Sequence, residues 1–154
     1  MKKVSKVVFR ISFLLYLIAL VFLLFIDSRA YYWQDISFLN YIKESSNVVP
    51  FKTISTYIKA LFDQSMNLDI PIKNLGGNLV MFLPMGIYLP YFIKRLSKIR
   101  LFLASMVTVL FMVEIIQLIT RKGSFDIDDF ILNMLGALIG FTIWNSKVIQ
   151  KLLK

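Results

Sequence analysis

The stretch VEIIQLITRKGSFDIDDFILNMLGALIG, residues Val113–Gly140, carries the architecture of this chain. Its first part is apolar apart from Glu114 and Gln117, and its middle is a basic turn around Gly123. Its last part resumes as an apolar run with Asp126, Asp128, Asp129 and Asn133 at its mouth. Two membrane-spanning helices joined by a short turn explain that pattern. An ionisable side chain in hydrocarbon costs roughly 2.5 to 3.5 kcal/mol even on mild scales, so such groups face a bundle interior and mark a site. Glu114 and Gln117 are three apart and share a face. Glu114 lies about five residues below the outer end of its helix, roughly 7 to 8 Å at 1.5 Å per residue.

In the next helix Asp126, Asp129, Asn133, Gly136 and Gly140 recur at helical steps and fall on one face, whereas Asp128 points elsewhere and is expected to cap the helix or meet solvent. Aspartates at a helix start also suit its orphan amides and dipole, so capping competes with a site role for Asp126 and Asp129. Glu114 is mid-helix, and capping cannot account for it.

The rest of the chain has the same character. Of 154 residues 58% are hydrophobic and 15% aromatic, a composition far from that of a soluble domain. Four stretches are long enough to cross a bilayer: about 7–26, 75–93, 101–119 and 129–146. The first is too long for a signal peptide and no small-residue cleavage pattern follows it, so a retained helix is expected. Basic residues gather at Lys2, Lys3, Lys6 and Arg10, at Lys94, Arg95, Lys98 and Arg100, and at Lys147, Lys151 and Lys154. Short loops rich in Lys and Arg stay in the cytoplasm, which places both termini inside and the long segment between the first two spans outside. The net charge of +9 therefore faces anionic headgroups, and membrane lipid is an expected partner. The basic residues flank spans and form no separate domain, so no nucleic-acid partner is expected. The absence of Cys and His removes disulfides, thiol nucleophiles, imidazole bases and thiolate or imidazole metal sites. With no repeat or linker, the whole chain, 1–154, reads as a single membrane domain of the all-α class.

Tyr31, Tyr32 and Trp33 follow the first span at headgroup depth, and Trp144 lies near the opposite face; all four read as interfacial anchors. From Phe51 onward, Phe51, Ile54, Ile58, Leu61 and Phe62 recur at helical spacing opposite Lys52, Lys59 and Asp63. This predicts an amphipathic helix lying on the outer leaflet, or one capping the bundle without touching lipid. In the second span Pro84 predicts a kink, and Gly76, Gly77 and Gly86 permit close helix approach. Asn78, near the outer end of that span, shares a depth with Glu114, Gln117, Asp129 and Asn133. The six residues Asn78, Glu114, Gln117, Asp126, Asp129 and Asn133 therefore predict an outward-facing acidic pocket. The competing reading is a hydrogen-bonded cluster that merely holds the bundle. Crowded carboxylates at low dielectric must take up a proton, a metal or a cationic ligand.

Four blocks carry a resemblance to the VanZ-like family of bacterial membrane proteins. They are NVVPFKTI at Asn47–Ile54, NLGGNLVMFLPMGIYLP at Asn74–Pro90, EIIQ at Glu114–Gln117 and RKGSFDIDDFILNMLGALIG at Arg121–Gly140, together spanning about 47–140. The resemblance implies a multi-pass protein of the bacterial cytoplasmic membrane. The family's prototype confers low-level resistance to teicoplanin, a lipid-tailed glycopeptide, without replacing the D-Ala-D-Ala terminus of wall precursors. By position, the family's shared residues fall on Asn47, Pro50, Phe51, Asn78, Pro84, Gly86, Glu114, Gln117, Asp126, Asp129, Asn133 and Gly136.

The leading expectation is a non-enzymatic factor whose acidic pocket and amphipathic segment bind or screen an amphiphile, either a lipoglycopeptide or a lipid-linked wall precursor. The alternative is an enzyme or carrier for a lipid-linked envelope substrate. There Glu114, Asp126 and Asp129 hold Mg²⁺ as oxygen ligands, or Glu114 moves a proton. A third reading is a scaffold for wall-synthesis or sensor proteins. No nucleophile is recognisable, and no cofactor besides a divalent cation is implied.

Overall fold

In the computed structural model the described residues are 2–26 and 36–153, with side chains described for residues 6–26 and 36–151. Tyr31, Tyr32 and Trp33 lie outside the described residues. The helices are α1 (Lys2–Phe25), α2 (Phe38–Ser45), α3 (Lys52–Asp63), α4 (Asp69–Met81), α5 (Leu83–Phe92), α6 (Ile99–Thr120), α7 (Ile127–Asn145) and α8 (Lys147–Leu153). A 3₁₀ turn covers Lys94–Ser97, and β1 (Ser46–Asn47) and β2 (Phe125–Asp126) form a two-residue ladder. Four helical stretches, Lys6–Phe25, Asp69–Phe92, Ile99–Thr120 and Ile127–Asn145, are long and apolar enough to cross a membrane. The chain is an all-α membrane protein, with α2 and α3 in the segment between its first two spans.

The second span begins at Asp69 rather than Leu75 and is broken at Phe82, which separates α4 from α5. Pro84 stands in the first turn of α5, where its missing N–H has no intrahelical partner to lose. The kink expected at Pro84 is thus a helix restart. The Met81 carbonyl at this break accepts a bond from the Tyr16 hydroxyl at 3.0 Å, which ties α1 to the second span.

The core is made by Leu20 and Leu24 of α1, Phe82 and Met85 at the break, Phe102, Met106 and Leu110 of α6, and Ala137 and Phe141 of α7. On α6 the buried stripe Phe102, Met106, Leu110 advances by fours, and Glu114 is its next member. The 3.6-residue period therefore turns Glu114 inward along with its apolar neighbours.

Where the second span crosses α7 the backbones touch. A Cβ on Gly136 would overlap the Leu79 carbonyl, one on Gly140 the Leu83 carbonyl, and one on Gly86 the Ala137 carbonyl. These three glycines form the seam that aligns Asn78 with the start of α7. Gly76 and Gly77, expected to act in the same way, have open space where a Cβ would lie. Leu14, Leu15 and Ile18 on α1 remain exposed, as lipid-facing residues of a span do.

Candidate functional site

The α6–α7 turn builds one end of the bundle, the end expected to face outward. Arg121 closes α6 in the left-handed conformation, φ 54°, and the chain then enters β2. Pairing of β2 with β1 is parallel and sets Asn47 beside Asp126. From that register Asp126 Oδ1 accepts bonds from Asn47 Nδ2 at 3.0 Å and from its own helix, Asp128 N, at 2.9 Å. Its Oδ2 accepts from the Thr53 hydroxyl at 2.7 Å. Behind it, Glu114 Oε2 accepts from the Asp126 backbone N–H at 3.2 Å. Glu114 is only 4% exposed, and this bond gives its carboxyl a donor inside the bundle.

Asp128 corrects the sequence expectation. It neither meets solvent nor caps its own helix: it is fully buried, and its two oxygens accept from Phe51 N at 2.5 Å and Ile54 N at 3.0 Å. The α3 helix has no side-chain cap of its own, so Asp128 supplies one from 77 residues away. Phe51, at the entrance to α3, holds φ at 65°, a region that costs a non-glycine residue about 1 to 3 kcal/mol. The Asp128 carboxylate holds the N–H of that strained residue, and the Phe51 ring projects outward, 62% exposed.

The other candidates divide. Asn78 Nδ2 donates to Asp129 Oδ1 at 2.5 Å, so two of the residues expected at one depth meet. Gln117 does not join them, because its Nε2 donates to the Leu24 carbonyl of α1 at 3.0 Å. Asn133 is buried on α7, and its Oδ1 has no donor among the described residues. The layer also recruits residues that sequence reasoning missed. Arg121 Nη1 donates to the Ile36 carbonyl at 3.1 Å, and its guanidinium lies over the rings of Phe38 and Tyr41 at 5.7 and 5.5 Å. The Tyr41 hydroxyl donates to the Gly123 carbonyl, and burial pushes this phenol above its usual pKa of 10.

In chemical terms the arrangement is a latch. Asp126 and Asp128 give both oxygens to donors from the segment between the first two spans or from their own turn, and so fix β1 and α3 on α7. Among the described residues no three acidic groups are placed to hold a metal ion. What the latch presents is α3. Ala60 is buried on its inner side, while Phe51, Ile58 and Phe62 stand outward, Phe62 at 85% exposure.

These features define a polytopic α-helical membrane protein whose segment between spans one and two is latched to its last span by buried carboxylates. The chain belongs to the VanZ/LLP1 family, whose model matches residues 13–150. The match begins within α1 and ends in α8, reaching beyond the 47–140 region that carries the motif resemblance. No curated protein and no solved structure shows a significant match.

Proposed function

We propose that this chain protects a bacterial cytoplasmic membrane against teicoplanin-type, lipid-tailed glycopeptides by engaging the amphiphile at the outer leaflet. The observation that carries the reading is the outward apolar face of α3, with Phe51, Ile58 and Phe62 exposed while Asp126 and Asp128 clamp the segment that bears them. Rigid aromatic groups at leaflet depth compete for a drug's lipid tail without altering wall chemistry. Clamping lowers the ordering cost that a mobile loop would meet on binding. The carboxylates serve chiefly to position this face, while Asp129 and Glu114 support the turn from within. The test is teicoplanin and vancomycin susceptibility in a null host. It carries wild type, Phe51→Ser/Phe62→Ser or Glu114→Gln/Asp129→Asn at matched membrane levels. Protection selective for teicoplanin and lost in the Phe pair supports the reading, whereas no protection by the wild type removes it.

A second reading, an enzyme or carrier for a lipid-linked envelope precursor, draws support from Asn133, whose buried Oδ1 lacks a donor among the described residues. A substrate hydroxyl or amide would supply one. Unchanged surface lipids in a deletion strain would count against it.

A further inference from the structure

At the opposite end of the bundle, α1, the end of α5, the 3₁₀ turn and the α7–α8 junction line an open cavity of about 730 Å³. Its walls include Lys6 and Arg10 from α1, Lys94 after α5, and Tyr91, Trp144 and Gln150. No carboxylate lines it among the described residues. The sequence offers none nearby: all nine acidic residues lie between Asp27 and Asp129, and none falls in 64–68 or 70–113. Trp144, expected as an interfacial anchor, is 5% exposed and packs edge-on against Tyr91 at 6.0 Å. Its Nε1–H has no acceptor among the described residues.

Three cations, two from α1 and one from the 3₁₀ turn after α5, stand beside an indole donor with no acceptor among the described residues, and form a wall whose missing component is an anion. Depth narrows its identity. Lys6 is followed by exposed Val7 and Val8, and Lys94 is preceded by exposed Ile93, so the cations sit where apolar span meets water, at the level of lipid phosphates. The volume falls in the usual range of ligand pockets, about 300 to 1,000 Å³, and exceeds what a lone inorganic phosphate fills. Of the four spans, α1 buries the smallest share of its residues. It is the span with most to gain from a ligand shared with its neighbours.

We infer that this cavity binds a phosphate-bearing anion, the headgroup of an anionic phospholipid, which bridges α1 to α5 and α7. The phosphate meets Arg10, Lys94 and Lys6, the Tyr91–Trp144 pair walls the headgroup, and the acyl chains leave along the exposed apolar side of α1. Such a site differs from general attraction of a basic face to an acidic leaflet because it depends on particular cations.

The test uses the full chain, purified free of native lipid in a neutral detergent, with retained lipid read by native mass spectrometry. Phosphatidylglycerol should be retained in preference to phosphatidylcholine. Each cation near a membrane surface contributes about fivefold in affinity, so Arg10→Gln/Lys94→Gln should lose on the order of twenty-five-fold. Arg95→Gln/Lys98→Gln removes the same charge from the same end but away from the cavity wall, and should retain the lipid. Equal losses in the two pairs, or no loss in the first, would overturn the site. A thermal midpoint without added lipid that matches wild type shows that the variants fold, and a lowered midpoint moves the test to Trp144→Phe, which keeps the ring. That variant should weaken retention about threefold, and unchanged retention there again overturns the proposal. Inorganic phosphate and glycerol phosphate form the competing arms: failure of both to displace the lipid assigns the site to the headgroup. Displacement by either at millimolar concentration overturns the lipid as its occupant in favour of a soluble phosphate.

Discussion

At the end of the bundle that carries the α6–α7 turn, Asp126 and Asp128 use both of their oxygens on donors that the chain itself supplies. At the end that carries the 3₁₀ turn, Lys6, Arg10 and Lys94 converge on a cavity with no carboxylate in its wall among the described residues. Carboxylates gather beside hydrocarbon at the first end and cations at the second, and the carboxylates have their donors within the protein. A charge satisfied internally acts as structure, and one left for an external partner acts as a binding surface. Substitutions at the two ends should accordingly fail in different measurements: those at the carboxylate end in stability of the segment between spans one and two, those at the cationic end in retained lipid.

The strongest way to break this contrast is Asp128→Ala. It leaves Phe51 N and Ile54 N without their acceptor and releases the constraint on a left-handed Phe51. A hydrogen bond to a charged group contributes about 1.5 to 3 kcal/mol, so undocking of α3 should become easier by about 2 to 4 kcal/mol, since the freed amides regain water. Limited proteolysis between residues 46 and 68 should then accelerate steeply while the spans remain intact. If Lys94→Gln accelerated it equally, the distinction between the ends would collapse. Next in size is Arg121→Gln, which removes the guanidinium from the Phe38 and Tyr41 rings and its bond to the Ile36 carbonyl. A loss of about 1 to 2 kcal/mol is expected, confined to cleavage around α2. A uniform drop in the thermal midpoint would instead mean that Arg121 holds the bundle as a whole.

A finer probe is Thr53→Val, which keeps shape and deletes one donor to Asp126. It should cost about 1 kcal/mol, and a Thr53→Ser variant should recover most of it. An effect as large as that of Asp128→Ala would show that Asp126, rather than Asp128, is the principal clamp.

The spans were legible because apolar length and charge flanks are properties of the sequence itself. So was the common depth of Asn78 and Asp129, though not their pairing, which depends on how the glycine seam sets the second span against α7. Glu114 stood out as a carboxylate in the middle of an apolar span, and the buried stripe Phe102, Met106, Leu110 shows why it turns inward. Asp128 could not be read correctly, because its partners are the backbone amides of Phe51 and Ile54, and an amide carries no residue-type signal. Nor could the two-residue β1–β2 ladder, which is too short for a period and sets Asn47 against Asp126 across a long sequence separation. Gln117 shares a face with Glu114, yet its longer reach from the end of α6 gives its amide to the Leu24 carbonyl of α1, a backbone partner with no residue-type signal. At the opposite end the cations were legible as flanks of the spans, but their convergence on one cavity depends on how α1 packs against α5, which composition does not encode.

The smallest expected effect concerns pH. Tyr41 is fully buried and donates its hydroxyl to the Gly123 carbonyl, and burial raises its pKa above 10. A phenol that holds its proton more tightly in the folded state contributes stability that is fully present below its unfolded pKa near 10. That stability is lost as pH rises through the folded value. Docking of α2 on the α6–α7 turn should therefore weaken on the alkaline side of pH 10, when the ionised oxygen can no longer donate and faces a carbonyl dipole. Tyr41→Phe should show a docking loss of about 1 kcal/mol at neutral pH and a shallower alkaline fall, because the group that titrates is gone. Cleavage around residues 36–47, followed between pH 8 and 11 in both proteins, separates this from general lysine titration, which both share. Parallel curves would mean that the hydroxyl is incidental and that the Arg121 contacts alone hold α2 to the turn.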